Sequence, residues 1–460
     1  MSKKKILITM VGLGAVGLAF PVINLLVGAP TNTTLSRKAK AHPELAPVVH
    51  MLESKCANCH TAEPKLPFYA SLPLVKGIVQ ADITKGRRYF DMVEDLLPEK
   101  SGAPAEVALA KIEREINEGA MPPGKYIALH WDARVGASDK DALLGWVKQM
   151  RVKHYAPKAL PQPLREAAVH PLPRSVKVNT AKAELGRQLY NDKRLSEDDT
   201  LSCASCHDLA KGGTDQVVVS TGIRGQKGGI NSPTTFNSGF QFKQFWDGRA
   251  ATLQDQAAGP PLNPVEMGSS WPKIITKLKA DAVFSEAFTK VYVEGFTDKT
   301  ITDAIAEFER TLLTPDSPFD QHLRGKKDAL NAQQQQGWAL FQSKGCQTCH
   351  VGKLLGGQSF EEMGRTADYF AQRGKKVTAD DAGRYNVTKK ARDKHRFKVP
   401  TLRNVALTFP YFHDGFATTL DAAVKIMAKV QSDLDLTDAE VKSLVAFLGS
   451  LNGVYQGKQL

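Results

Sequence analysis

The six cysteines of this chain fall into three pairs, and each pair has the form Cys-x-x-Cys followed directly by His. This pattern is the attachment site for c-type haem, because the two thiols form thioethers with the haem vinyl groups while the adjoining imidazole reaches the iron. The residues concerned are Cys56, Cys59, His60, Cys203, Cys206, His207, Cys346, Cys349 and His350. Successive pairs lie roughly 145 residues apart, which is about one domain. The spacing predicts three covalently bound c-type haems, one in each third of the chain.

Two other uses of the Cys-x-x-Cys motif fit this chain less well. A zinc site typically needs a second ligand pair about 15–20 residues away, and the pairs here are much further apart. A redox dithiol does not require a His after it, yet all three motifs have one. No cysteine is left over, so a disulfide framework is also disfavoured.

The residue on the far side of each iron decides its chemistry, since a second ligand closes the iron and an open position admits peroxide. In the first third of the chain, Met121 in a Met-Pro-Pro turn is the preferred second ligand, because methionine is a soft ligand that raises the reduction potential. His130 is an alternative, whereas Met92 and Met150 lie in helical sequence.

In the last third, Met427 is the preferred second ligand opposite His350. Met363, His395 and His413 are its rivals on pattern alone.

His207 lacks an obvious partner, because residues 171–321 contain no other His and only one Met, Met267. An open iron is therefore predicted. Gln256 and Glu266 stand nearby in an apolar stretch rich in Pro and Gly. A carboxyl group beside an open iron can take a proton from one peroxide oxygen and return it to the other, while an amide orients the peroxide. From the residues alone, a surface Glu is the alternative interpretation.

The elements that position these groups are predicted to be helices. Residues 105–117 have helical periodicity, and a second helix begins near Ser138. A weak internal repeat places a helix that contains Gly186 before the second Cys pair and one that contains Gly337 before the third. The last helix begins with a capping box at Thr437. Strand signals are scarce, so the predicted fold is mainly α, with three cytochrome c-type domains and long loops.

The N-terminus predicts export. Three lysines precede residues 6–29, which carry no charge. That length favours an uncleaved transmembrane anchor over a signal peptide, whose apolar region is about 7–15 residues. The lysines keep the N-terminus in the cytoplasm, so the remainder is predicted to be periplasmic on a single-pass protein of the bacterial inner membrane.

The motifs, the apolar N-terminus and a proline-rich stretch divide the chain into five predicted segments. They are the anchor at 1–29, a mono-haem domain at 30–156, a proline-rich linker at 157–178, a second haem domain around His207 at 179–325 and a third around His350 at 326–460.

The composition, with 42% hydrophobic and 24% charged residues, excludes a disordered chain, a collagen-like fibre and a polytopic membrane protein. The net charge of +13 alone would permit nucleic-acid binding, but an exported protein makes that partner improbable. Residues 373–398 hold ten Lys or Arg against three Asp. Such a run is usually solvated, or it faces haem propionates or anionic lipid headgroups.

Residues from about 180 to 453 resemble the bacterial di-haem cytochrome c peroxidases. The resemblance is carried by LGRQLY at 185–190, SCASCH at 202–207, NSPT at 231–234, QFWDGRA at 244–250, TPDSPFD at 314–320, LRNVALT at 402–408 and PYFH at 410–413. The extra N-terminal haem domain and anchor resemble the membrane-bound tri-haem members, the quinol peroxidases.

The resemblance implies reduction of hydrogen peroxide to water. His207 would be the proximal ligand of the peroxidatic haem, and Gln256 and Glu266 fall on the family's distal catalytic pair. Trp246 falls on the Trp between the two haems, where it assists electron transfer. Electrons would come from membrane quinol through the N-terminal haem, or alternatively from a soluble cytochrome c.

The resemblance also implies the metal ligands of the last domain. His350 and Met427 would hold the electron-transfer haem. Asn231, with the carbonyls of Thr408 and Pro410, falls on an interdomain calcium site, for which oxygen ligands are suited.

One departure from the family pattern concerns the far side of the peroxidatic iron. Many of these peroxidases carry a blocking His sixteen residues after the proximal one, and this chain has Ile223 there. We therefore predict an iron that is open without reductive activation. Two rival functions are an enzyme that matures a tryptophan-derived cofactor, whose relative has Tyr where this chain has Met427, and a non-enzymatic electron-transfer cytochrome.

Overall fold

A computed structural model describes residues 21–24, 26, 32–97, 103–162 and 164–460. The chain divides into two compact units, Met1–Ala168 and Val169–Leu460. The boundary falls inside the predicted linker. One attachment motif lies in the first unit and two in the second, and the division of the second unit into two haem domains stays a prediction.

The described part of the first unit is helical. Its helices are α1 (Thr34–Lys38), α2 (Val49–Lys55), α3 (Ala57–His60), α4 (Pro73–Tyr89), α5 (Met92–Leu96), α6 (Glu106–Glu118), α7 (Gly124–Ile127) and α8 (Ala137–His154). The predicted helices at 105–117 and from Ser138 are confirmed as α6 and α8. Leu109 and Ile112 of α6 share a buried core with Trp146 of α8 and with Leu52 of α2, the helix that precedes the first haem motif.

The second unit is also mainly helical. Its helices are α9 (Thr180–Tyr190), α10 (Cys203–Cys206), α11 (Leu253–Ala257), α12 (Gly259–Leu262), α13 (Trp271–Lys279), α14 (Ala282–Val291), α15 (Asp298–Thr311), α16 (Pro318–Leu323), α17 (Ala332–Ser343), α18 (Tyr369–Arg373), α19 (Tyr385–Thr388), α20 (Leu420–Ser432) and α21 (Asp438–Gly449). Two antiparallel ribbons complete it: β1 (Phe360–Glu362) with β2 (Arg396–Lys398), and β3 (Val454–Tyr455) with β4 (Lys458–Gln459). The capping box predicted at Thr437 is confirmed at the start of α21.

The internal repeat appears in the structure as two equivalent helix crossings. α9 crosses α15 where Gly186 meets the backbone of Ala304, and α17 crosses α21 where Gly337 meets the backbone of Ser443. At both points a Cβ would overlap a carbonyl oxygen of the partner helix. Each crossing therefore requires glycine for close approach, and it fixes the helix that precedes a haem motif.

Gly337→Ala is expected to destabilise the second unit by about 1–3 kcal/mol or more, because the added methyl must push α17 away from α21. The midpoint of guanidinium unfolding of the holoprotein measures this effect. Gly449→Ala, at the open end of α21, meets no atom within 4 Å and is the matched control. Equal midpoints for the two variants would contradict the close-contact explanation.

The predicted anchor at 6–29 lies mostly outside the described residues. Among the residues that are described, no helix combines the length and apolar character needed to cross a membrane.

Candidate functional site

The three histidines of the attachment motifs share one hydrogen-bonding arrangement. The Nδ1 atoms of His60, His207 and His350 lie 2.8, 3.3 and 2.9 Å from backbone carbonyl oxygens, of Phe90, Gly213 and Leu355 respectively. A proton on Nδ1 that faces a carbonyl leaves the lone pair on Nε2, which is how metal-binding imidazoles are oriented. Burial lowers the pKa of all three imidazoles and so keeps them neutral. The residues present therefore fit haem iron.

The cysteines are unlike those of a redox dithiol. All six are free of disulfides. Burial raises the pKa of the Cys56 and Cys203 thiols to about 12, whereas a reactive dithiol needs a stabilised thiolate. Together with the oriented histidines, this favours haem attachment over thiol exchange.

Glu266 is a half-buried carboxyl near the second attachment motif. Burial raises the pKa of Glu266, while a hydrogen bond from Asn263 Nδ2 to Oε1, at 2.7 Å, lowers it in part. Burial also raises the pKa of the Cys206 thiol, and the charge of Glu266 adds to that rise, which places the carboxyl in the neighbourhood of Cys206. A carboxyl with a raised pKa beside this motif is suited to accept and return a proton.

Gln256 and Glu266 come from one segment, 253–268. Gln256 is half-buried on α11, and Glu266 follows α12. Helix α11 is capped by Thr252 and tied to α15 by a 3.2 Å hydrogen bond from Gln254 Nε2 to Asp303. Both side chains therefore belong to one segment, which the hydrogen bond to Asp303 anchors on α15.

Ile223 lies in a turn that is hydrogen-bonded to the segment 253–268. Its backbone N–H donates to the carbonyl oxygen of Glu266 at 2.7 Å, and Gln226 Nε2 donates to that of Pro264 at 2.9 Å. The Ile223 side chain is 1% exposed and packs against Gly268. The position at which the sequence resemblance would place a blocking His thus holds a buried aliphatic side chain.

Trp246 is held by hydrogen bonds at both its side chain and its backbone. Its Nε1 donates to the carbonyl oxygen of Asn231, and its own carbonyl oxygen accepts from the N–H of Lys398, each at 2.8 Å. Its ring lies edge-on to those of Phe397 and His413, with centroids 6.5 and 6.4 Å away. The structure therefore joins Trp246 to one of the predicted calcium residues, Asn231.

Two of the three predicted calcium residues, Asn231 and Pro410, are connected through Val218. Asn231 Nδ2 donates to the carbonyl oxygens of Val217 and Val218, at 2.9 and 3.3 Å, which leaves Oδ1 as the acceptor of the amide. Val218 and Pro410 both pack against Gly415. Thr408 ends the short turn that begins at 405. Asn231 and Pro410 are therefore brought to the same neighbourhood, and Thr408 is two residues away along the chain.

His130, the alternative ligand in the first unit, has both ring nitrogens engaged. Nε2 lies 2.5 Å from the Tyr69 hydroxyl, and Nδ1 lies 3.0 Å from the carbonyl oxygen of Tyr126. Met92 and Met150 are packed in the hydrophobic core. Met121, by contrast, is half-buried in the turn after α6.

In the last domain, Met427 is half-buried in the middle of α20. Its histidine rivals are partly engaged, since His395 Nδ1 lies 2.7 Å from the carbonyl oxygen of Asp381 and His413 Nε2 lies 2.8 Å from its carboxylate. Met363 adjoins the first ribbon, with its N–H bonded to His395.

A cluster of acidic and histidine side chains near Trp246 resembles a metal site but holds an arginine. Ligand atoms of Asp381, His413 and Asp414 lie within 4.8 Å of one another. Arg373 Nη1, however, lies 2.7 Å from a carboxylate oxygen of each Asp. Burial opposes the ionisation of Asp381, but the hydrogen bonds from Arg373 and His413 prevail and hold its pKa well below the usual range. The guanidinium already supplies the positive charge that a cation would bring.

The basic run at 373–398 is only partly solvated, and this corrects the simplest interpretation of its charge. Arg373 forms the buried ion pairs, Arg384 donates to the carbonyl oxygens of Asp247 and Gly248, and Arg396 donates to that of Phe360. Lys398 is buried as well. The sequence did not reveal which cations of this run are paired or buried. It also did not reveal Asn263 as the hydrogen-bond partner of Glu266.

Comparison with known proteins relates most of the chain to haem peroxidases. Residues 180–328 match the family described as di-haem cytochrome c peroxidase, and residues 19–149 match a haem-binding domain. Cytochrome c peroxidase Ccp of Escherichia coli is 46% identical over 457 residues, 97% of each chain. Cytochrome c551 peroxidase of Nitrosomonas europaea is 45% identical over 62% of this chain and 84% of its own length. A solved MauG-like protein associated with microbial copper homeostasis is 29% identical, with a TM-score of 0.55 over 64% of this chain and 95% of that one.

Proposed function

Because the chain belongs to the di-haem cytochrome c peroxidase family and is a peroxidase that reduces hydrogen peroxide, we propose that it works as a tri-haem enzyme fed by membrane quinol. The observation that carries the proposal is the additional Cys-x-x-Cys-His motif of the first unit, at residues 56–60, whose histidine is oriented like the other two. The segments proposed for the chain are those given above, with the anchor at 1–29 in the inner membrane and the haem domains in the periplasm.

When bound, the three haems supply electron storage and the redox chemistry that cleaves peroxide. Residues of the chain transfer the proton and orient the peroxide. Glu266, as carboxylate, would accept a proton from one peroxide oxygen and return it to the other, while the amide of Gln256 would orient the substrate. The balance is one peroxide, two protons and two electrons for two waters.

The other predicted site residues are proposed to transfer electrons, to bind iron or to bind calcium. Trp246 assists electron transfer between the second and third haem sites. Met121 and Met427 are proposed as second iron ligands; the engaged nitrogens of His130 support the first assignment. A calcium ion is proposed at Asn231, Thr408 and Pro410. The support is the orientation of the Asn231 amide, whose Nδ2 donates to Val217 and whose Oδ1 is thereby left to act as a ligand.

Steady-state turnover with two donors tests the proposed electron source. Membranes that contain the full chain are given hydrogen peroxide with a reduced quinol analogue, or with reduced soluble cytochrome c. We expect turnover with quinol to be lost in Cys56→Ala/Cys59→Ala, which lacks the first haem, while direct chemical reduction still supports peroxide turnover. Equal rates with cytochrome c in both proteins and no quinol activity in either would favour the alternative donor.

The peroxidatic haem is expected to be high-spin in the oxidised protein as isolated, without prior reduction. The physical reason is that the turn of Ile223 offers no ligand and is bonded to the Glu266 segment. Electron paramagnetic resonance of the oxidised holoprotein checks this expectation. A spectrum that contains only low-spin haem would show that another side chain closes the iron.

Asn263→Leu is expected to move the acid limb of the pH profile of kcat/KM to higher pH. The Asn263 amide stabilises the Glu266 carboxylate, so its loss raises the pKa of Glu266 further, and the base form is lost earlier on acidification. Gln254→Leu, whose amide bonds Asp303 instead, is the control from the same segment. An acid limb that stays in place in Asn263→Leu would argue against Glu266 as the base.

A purely electron-carrying role is disfavoured by the half-buried Glu266, whose pKa is raised by burial. Maturation of a tryptophan-derived cofactor is disfavoured because this chain has Met427 where the relative has Tyr.

A further inference from the structure

Lys398 carries a buried amino group for which the described residues supply no anion. Only 5% of the residue is exposed. Its Nζ donates to Oε1 of Gln241, a neutral amide, and in the described part of the chain no carboxylate lies within ion-pair distance of it. Burial alone lowers the pKa of Lys398, to about 7.

A buried ammonium without a counter-charge is costly, and lysine is almost never fully buried unless it is paired. The contrast with Arg373 is informative, since that cation of the same run faces two carboxylates. The described residues thus supply a counter-charge for Arg373 and none for Lys398.

The surroundings of Lys398 indicate which group that is. Its backbone N–H is bonded to the carbonyl oxygen of Trp246. The side chain of Gln241 packs against Gly357, 3.3 Å from the position of a Cβ there. Gly357 belongs to the loop that follows His350. Lys398 is therefore connected both to Trp246 and to the loop of the third attachment motif.

We propose that Lys398 and Gln241 bind a propionate of the haem attached at Cys346 and Cys349. A propionate is a carboxylate, ionised at neutral pH, and it would accept a hydrogen bond from Nζ while the Gln241 amide N–H₂ group offers another. The pair returns Lys398 to its charged form and offsets the negative charge beside the iron. The inference rests on haem attachment at these cysteines and is independent of the electron donor and of Glu266.

Redox titration of the holoprotein, followed by visible absorbance, tests the proposal. In Lys398→Met the His350 haem is expected to become harder to reduce, with about a tenfold lower ratio of reduced to oxidised haem at a given potential, the size expected for one charge at low effective dielectric. Lys398→Arg should keep the wild-type ratio. Lys394→Met, an exposed neighbour on the same run, is the control and should leave the ratio unchanged.

An unchanged ratio in Lys398→Met, or a shift confined to another haem, would overturn the assignment. Because Lys398→Met can fail to assemble, the resonance Raman bending band of the haem propionates provides a second measurement. That band is expected to move in Lys398→Arg, which retains the charge and changes the donor geometry. A band at the wild-type frequency would overturn the proposal even where the methionine variant gives no holoprotein.

Discussion

Replacing Glu266 by Gln is expected to lower kcat for hydrogen peroxide by about 10²- to 10⁴-fold, the usual contribution of a positioned acid–base group. Glutamine keeps the size of the side chain and can still receive or donate hydrogen bonds, but it cannot carry a proton from one peroxide oxygen to the other. Steady-state peroxide reduction measures the loss, with haem content determined on the same preparation. The haem spectra are expected to match those of the wild type.

The pH profile separates proton transfer from other effects of this variant. Burial raises the pKa of Glu266, so wild-type activity should fall on acidification at a higher pH than an exposed glutamate would produce. The residual activity of Glu266→Gln should lack that acid limb. Glu286→Gln, on an exposed helix surface where the carboxylate pairs with Lys290, is the matched control. Unaffected peroxide reduction in Glu266→Gln would exclude the proposed role.

Asp320→Asn is expected to destabilise the second unit by about 3–5 kcal/mol, the usual cost of leaving a buried charge without its partner. Asp320 and Arg403 are fully buried, 2.9 Å apart. The guanidinium also donates to the carbonyl oxygens of Lys353 and His170, at 2.8 and 3.1 Å. It therefore ties the loop after His350 to two other segments, and the amide of asparagine cannot balance its charge.

Guanidinium unfolding of the holoprotein, monitored by haem absorbance and by far-ultraviolet circular dichroism, measures this change. Arg174→Gln is the matched control, because it removes the nearby pair with Asp316 in which the arginine is 69% exposed; exposed pairs contribute about 0–1 kcal/mol. Comparable losses in the two variants would mean that burial does not set the strength of the Arg403 pair.

The parts of the site that could be predicted from the sequence are those that depend on neighbouring residues. Covalent haem attachment requires two thiols and an imidazole within five consecutive positions, so each motif is visible without a fold. The helix expected at 105–117 is found at Glu106–Glu118, because its apolar periodicity is local. The capping box at Thr437 is equally local.

Other features depend on residues that only the fold brings together. Met121 and His130 are both acceptable ligands on sequence alone, and only the fold brings the hydroxyl of Tyr69 against His130 Nε2. The ten cations of residues 373–398 look alike in sequence, yet the fold separates the ion-paired Arg373 from the buried Lys398. The partnership of Asn263 with Glu266 depends on a tight turn, which the amino-acid types alone do not reveal.

The two glycine crossings also have a consequence for the order in which this chain can assemble. Each crossing joins a helix that precedes a Cys pair, at Gly186 or Gly337, to one far downstream, at Ala304 or Ser443. A chain delivered to its compartment from the N-terminus presents each pair of thiols before the closing helix has arrived. Each attachment site is thus accessible until the downstream helix packs against the helix that precedes it. This order follows from the connectivity of the helices.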